Sequence, residues 1–236
     1  MKIAIKIILF IFVSVFLLVG GMNLWLWSFH FPSSQAREKW ETEQILQDIE
    51  KAKQTGKLHL LSPFLFGPSA EFYATKRFSM LKGQTGIHYL YLCGYGNVKV
   101  AKNAVENLST MSDLEEIFLQ NVVFENGALS GINSLPNLRK LTLYGCSFDA
   151  ASLEHLATLT QMEILEISCP MRGFLSHEPT HTIEVEEQAK IVESLGRFTH
   201  LKKLTLQECF RFDETTLQRN LPDTEIDFIN VGYDIP

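Results

Sequence analysis

The sequence predicts an α/β chain: short parallel strands alternate with helical segments in a curved stack, preceded by a transmembrane helix. Three observations predict this. A motif of spaced aliphatic residues recurs from Ile87 to Phe228. Apolar residues at helical spacing follow each copy, so a strand period of two and a helix period of three to four agree on one phase. An uncharged apolar run stands near the start of the chain.

Taken in order, residues 1–30 read as a membrane anchor. Ile7 to Leu26 carries no charge, and a helix of about 20 residues spans the ~30 Å bilayer core. Trp25 and Trp27 stand at its far end, where amphipathic rings favour the interface. Lys2 and Lys6 flank the near end, which predicts a single-pass protein with a cytoplasmic N-terminus and the main domain outside the cytoplasm. A cleaved signal peptide, ending near Val19-Gly20-Gly21, is the competing reading, and a buried soluble helix is a third.

Residues 31–56 predict a juxtamembrane helix or linker. Pro32-Ser33-Ser34 breaks the first helix and caps the second, Gly56 ends it, and Trp40, Ile45 and Ile49 give it one narrow apolar face. A spacer is the expected role. Residues 57–86 predict a cap over the open end of the stack. Within it Leu58, Leu60 and Leu61 form a strand, and Ala70 to Leu81 a helix that buries Phe72, Phe78 and Leu81.

From residue 87 to 236 the motif repeats. The fullest copy reads Leu138-x-x-Leu141-x-Leu143-x-x-Cys146-x-Phe148. Leu114-x-x-Ile117-x-Leu119 precedes it and Met162-x-x-Leu165-x-Ile167 follows it, both at the same interval. Ile87-x-x-Leu90-x-Leu92, Leu201-x-x-Leu204-x-Leu206-x-x-Cys209 and Asp223-x-x-Ile226-x-Phe228 complete six copies. The helical sets between them are Ala101, Val105 and Leu108; Leu129, Ile132 and Leu135; Leu153, Leu156 and Leu159; Ala189, Val192 and Leu195; and Leu217 with Leu221. Asp149 and Asp213 stand where helix N-caps belong.

This pattern resembles the leucine-rich repeat family, L-x-x-L-x-L-x-x-N/C-x-L with a period of about 20–29 residues. Cysteine in the N/C position makes it most similar to the cysteine-containing and ribonuclease-inhibitor-like repeats. The resemblance implies a leucine-rich repeat solenoid, with strands on the concave side and helices on the convex side. It also implies that Cys146 and Cys209 bond the backbone of a neighbouring coil. Val122 and Pro170 occupy that position in two copies, which predicts looser turns there.

Composition narrows the function. Of 236 residues 46% are hydrophobic and 20% charged, with a net charge of −6; a nucleic-acid partner, which needs a positive surface, is not expected. Cys93, Cys146, Cys169 and Cys209 contain no C-x-x-C and read as buried structural thiols. The interval from Met162 to Leu201 is longer than the regular one, and its excess, Pro170–Ile183, holds His177-Glu178-Pro179-Thr180-His181. H-E-x-x-H binds zinc when a helix presents both histidines to one metal, but Pro179 disrupts a helix interior. A zinc metallopeptidase using His177, Glu178 and His181 is therefore only the alternative; the expectation is no enzyme, no metal and no cofactor.

The strands' outward positions are more informative. The residues one and two places after the anchors read His88-Tyr89 and then alternate in sign: Glu115-Glu116, Arg139-Lys140, Glu163-Ile164, Lys202-Lys203, Thr224-Glu225. Opposite charges on adjacent strands ~4.8 Å apart support register. Tyr89, Tyr91, Phe118 and Tyr144, with Gln120 among them, put aromatics on the first three strands. They read either as a contact patch for a protein partner or as a surface that the cap or the 170–183 loop covers. The sequence thus predicts a membrane-anchored protein that recognises another protein without catalysis, the other alternative being a purely structural envelope protein.

Overall fold

The computed structural model describes residues 34–61, 78–93, 99–168, 185–207 and 214–229. The predicted membrane span lies outside them, and among the described residues no helix is long and apolar enough to cross a membrane. The chain divides into two compact units, Met1–Gln47 and Asp48–Pro236. Helix α1 (Ser34–Thr55) starts in the first and ends in the second. In the first unit Ile45 is buried, whereas Trp40, expected to share its apolar face, is 40% exposed, and so is its neighbour Leu46 at 47%.

In the second unit the last turns of α1 do more than space. Ile49 and Ala52 are buried. Gly56 ends the helix with φ +72, its N–H donating to Ala52 O at 2.7 Å. Its carbonyl then accepts from the N–H groups of His88 and Tyr89 at 2.8 and 3.0 Å.

The strands are β1 (Lys57–Leu61), β2 (Tyr89–Cys93), β3 (Lys99–Val100), β4 (Glu116–Gln120), β5 (Val123–Phe124), β6 (Lys140–Tyr144), β7 (Ile164–Ser168), β8 (Lys203–Gln207) and β9 (Glu225–Ile229). One parallel sheet runs in the order β1-β2-β4-β6-β7-β8-β9, following the order of the chain. All the strands expected from the motif are present. The strand expected over Leu58–Leu61, assigned above to a cap, is the first strand of the same sheet.

Pairing places like on like. Leu58, Leu90, Ile117, Leu141, Leu165, Leu204 and Ile226 form one row, and Leu60, Leu92, Leu119, Leu143, Ile167, Leu206 and Phe228 a second. On β1 to β8 every one of these is at most 3% exposed, and each leucine so buried contributes about 1.5–3 kcal/mol. On the edge strand β9, Ile226 and Phe228 are only half covered.

A helical layer comes from the segments between strands: α2 (Lys102–Val105), 3₁₀ turns at Glu106–Thr110 and Ala128–Ile132, α3 (Ala150–Leu156), α4 (Val185–Leu195) and α5 (Glu214–Asn220). The 128–132 turn touches α2 and the 106–110 turn on one side and α3 on the other; α3 also touches α4. Val105, Leu108, Leu129, Ile132, Leu135, Leu153, Leu156 and Leu159 are buried as expected. Two sets need correction. Ala104, not Ala101, is buried in α2, because Ala101 is the N-cap. Among the described side chains of α4, Ile191, Ser194 and Leu195 are buried, while Ala189 is exposed and Val192 half exposed. Ile191 and Leu195 are four apart on one face, so the apolar stripe lies rotated from the expected one.

Asp149 caps α3, accepting from Ser152 N at 3.0 Å, and both its oxygens also receive Gly127 N–H at 3.2 Å. Asp213 lies outside the described residues. The side chain preceding three of the motif anchors binds backbone of the previous segment: Asp113 accepts from Gly86 N at 2.7 Å, Asn137 donates to Ser112 O at 2.8 Å, and Gln161 donates to Leu135 O.

The helical layer is tightest at Gly131, where a Cβ would lie 2.6 Å from Glu106 N and 2.8 Å from Val105 C. Backbone must move to admit it, so Gly131→Ala is expected to cost about 1–3 kcal/mol in urea denaturation. Ser130→Ala removes a buried hydroxyl oxygen that has no hydrogen-bond partner and is expected to be neutral or slightly stabilising in the same measurement.

Candidate partner-binding face

Because side chains alternate on a strand, the buried rows leave three outward rows. One runs Lys57, Tyr89, Glu116, Lys140, Ile164, Lys203, Glu225; the next His59, Tyr91, Phe118, Thr142, Glu166, Thr205, Asp227. The third brings Gln120 beside Tyr144, then Ser168 and Gln207.

The middle row starts as a ladder of rings, which Tyr144 of the third row continues diagonally. His59 and Tyr91 have centroids 5.6 Å apart, Tyr91 and Phe118 5.1 Å, and Phe118 and Tyr144 6.4 Å with planes only 24° apart. His59 also lies 5.5 Å from Tyr89. The Tyr91 hydroxyl donates to Gln120 Oε1. All the residues expected on this patch, Tyr89, Tyr91, Phe118, Gln120 and Tyr144, are half-buried and adjacent. Sequence reasoning missed His59, which is exposed. The signal was available, since Leu58 and Leu60 pointing inward force His59 outward.

Beyond the rings the face is ionic. Glu163 binds Arg139 and Lys202, each at 2.9 Å; Lys203 binds Glu225 at 2.9 Å and Asp227 at 2.6 Å; beside the rings themselves, His88 Nδ1 lies 3.0 Å from Glu115. The expected sign alternation is realised as cross-strand pairs from β6 to β9 but not between β4 and β6, where neither Glu115 nor Glu116 pairs with Arg139 or Lys140. Lys140 reaches Glu166 at 2.7 Å, and Thr142 Oγ1 donates to the other Glu166 oxygen at 2.8 Å. The hydrogen bond from Lys202, with Arg139 adding to it, holds Glu163 below the usual carboxylate range. Hydrogen bonds to Asp227 and Glu225 raise Lys203. Burial, then the Glu116 carboxylate, raises the Tyr89 phenol against the opposing pull of Lys140.

At the turn out of β6, Cys146 is buried and its Sγ lies 3.3 Å from Leu119 O, on the preceding strand β4. Burial pushes its thiol up to about 12. Cys93 is buried too; Cys169 and Cys209 lie outside the described residues. The turn at Val122, where no side-chain bond is available, is bonded through its backbone. Ser147 N donates to Val122 O at 2.9 Å, Asn121 N to Tyr144 O at 2.8 Å, and β5 pairs with β3. Backbone bonds replace the missing side-chain bond. Pro170, the 170–183 loop and His177, Glu178 and His181 lie outside the described residues.

No protein-family model matches the chain, and no curated protein matches it.

Two outcomes are expected from this face and its turn. Glu163 favours the folded state when ionised, so its contribution is full above the ordinary carboxylate pKa of ~4 and is lost as pH falls through its depressed folded value. Stability should therefore decline less steeply on the acid side in Glu163→Gln than in the wild type, and added salt should shrink the difference. Burial raises the Cys146 thiol far enough to keep it protonated at pH ~8. Iodoacetamide should leave Cys146 intact in the native protein and alkylate it after unfolding, as peptide mass mapping will read.

Proposed function

We propose that this chain is a leucine-rich repeat solenoid, anchored in a membrane by its N-terminal helix, that recognises a protein partner through the β1–β6 end of the exposed sheet face. No catalysis is assigned to it. The single observation that carries the reading is the continuous ring ladder from His59 to Tyr144 across adjacent strands. Half-exposed aromatics with a Tyr–Gln hydrogen bond among them make a rigid, amphipathic contact surface of the kind that dominates protein interfaces. The other end of the face supports the assignment by contrast, because its charges are paired with one another.

The leucine-rich repeat reading is supported by the evenly spaced motif copies at Leu114, Leu138 and Met162, and by strands that pair in sequence order without slip. The Cys146 contact with the neighbouring strand is of the kind the resemblance implies.

The test is photo-crosslinking from position Tyr144 in the membranes that hold the full chain, with the captured partner identified by mass spectrometry. Tyr91→Ala and Phe118→Ala are each expected to lower capture at least tenfold, about 1.4 kcal/mol, with the circular dichroism spectrum unchanged. Undiminished capture by both variants would reject the face. Recovery of nothing except the protein itself would favour an architectural role.

A further inference from the structure

We propose that the aromatic end of this face takes up a cationic side chain, arginine above all, from a basic segment of its partner, with Glu116 as the counter-ion. This rests on the reading of that face as a partner surface.

Glu116 is directly opposite Tyr89 on β2 and precedes Phe118 by two residues on the same side of β4. Tyr91 pairs with Phe118, so it lies on the diagonal from Glu116. Directly opposed Cβ atoms are ~4.5–5.5 Å apart and diagonal neighbours ~7–8 Å. One exposed carboxylate is therefore bordered by three rings.

The other acidic side chains of the sheet strands are already engaged: Glu166 by Lys140, and Glu225 and Asp227 by Lys203. Among the described residues Glu116 is in no ion pair. The cation opposite it, Lys140, is drawn away to Glu166, where the Thr142 hydroxyl helps to hold the carboxylate. Lys57 stands in the same row, separated from Glu116 by Tyr89. Lys57 is likewise in no ion pair among the described residues, so the ladder carries an unpaired cation at its β1 edge and an unpaired anion, Glu116, beside Phe118; the chain as a whole is negative at −6, which attracts a basic partner at long range.

Ring faces are negative and bind cations. A guanidinium meets both features at once, stacking flat on a ring while its fork of N–H groups grips a carboxylate. An ammonium meets the charge but not the plane.

The probe is a capped Gly-Arg-Gly-Arg-Gly peptide, with its citrulline and lysine counterparts, titrated into the full chain in detergent micelles. Ring resonances of Tyr89, Tyr91 and Phe118 are read by NMR. The arginine peptide is expected to shift all three and saturate, the lysine peptide to bind more weakly, and the neutral citrulline peptide at least fivefold more weakly. Glu116→Gln should weaken the arginine peptide at least fivefold, and added salt should weaken it in the wild type. Equal binding of arginine and citrulline peptides, unmoved rings, or an affinity indifferent to Glu116→Gln would overturn the proposal. Crosslinking separates the two readings. Should Tyr91→Ala and Phe118→Ala lose the partner while Glu116→Gln keeps it, the face stands and its cationic specificity falls; should the aromatic variants keep it, both fall.

Discussion

Every strand of the sheet is held by aliphatic side chains that have to meet their counterparts on the next strand. The motif presents two such residues per strand on the inward side, and neighbouring strands align them with no offset. A slip by a single position would turn Leu141 and Leu143 to solvent and bury Lys140 and Tyr144 instead. That penalty fixes register far more firmly than backbone hydrogen bonding, which would survive a slip. The outward face inherits its order from this constraint: the rings and charges line up because the leucines behind them do.

Alternation explains why so much of this was legible. Residues two apart on a strand share a side, so locating the inward pair Ile117 and Leu119 locates Phe118 and Gln120 by elimination. The helical side was less legible. Its segments are short, two of them are 3₁₀ turns, and a stripe of two or three apolar residues leaves the phase open, as α4 illustrates with Ile191 in place of Ala189 and Val192. The contacts of Asp113, Asn137 and Gln161 were hidden for another reason. They share a position but not a chemistry, since one accepts while the other two donate, so no residue type marks the column.

The candidate face divides along the same lines. Its aromatic membership followed from counting positions, and His59 escaped only because β1 carries no copy of the full motif. That Glu116 stays unpaired beside Lys140 did not follow from counting. Lys140 has Glu116 on one side, its register partner, and Glu166 diagonally across the other. The choice of Glu166 depends on Thr142, whose hydroxyl fixes that carboxylate. A three-body preference of this sort is invisible to any rule about pairs.

Strands β6 and β7 derive from motif copies separated by the regular interval, Leu138 to Met162, whereas β7 and β8 derive from copies set much further apart, Met162 and Leu201. Yet both junctions pair with the same unshifted alignment. The sheet therefore does not measure the length of what leaves it and returns. Closing a longer excursion adds only a slowly growing entropic term, about 0.6 kcal/mol per doubling. Chain length between β7 and β8 is therefore free to vary ahead of α4, as a hem can be let out without recutting the cloth, while the buried face of α4 and the strand register stay fixed.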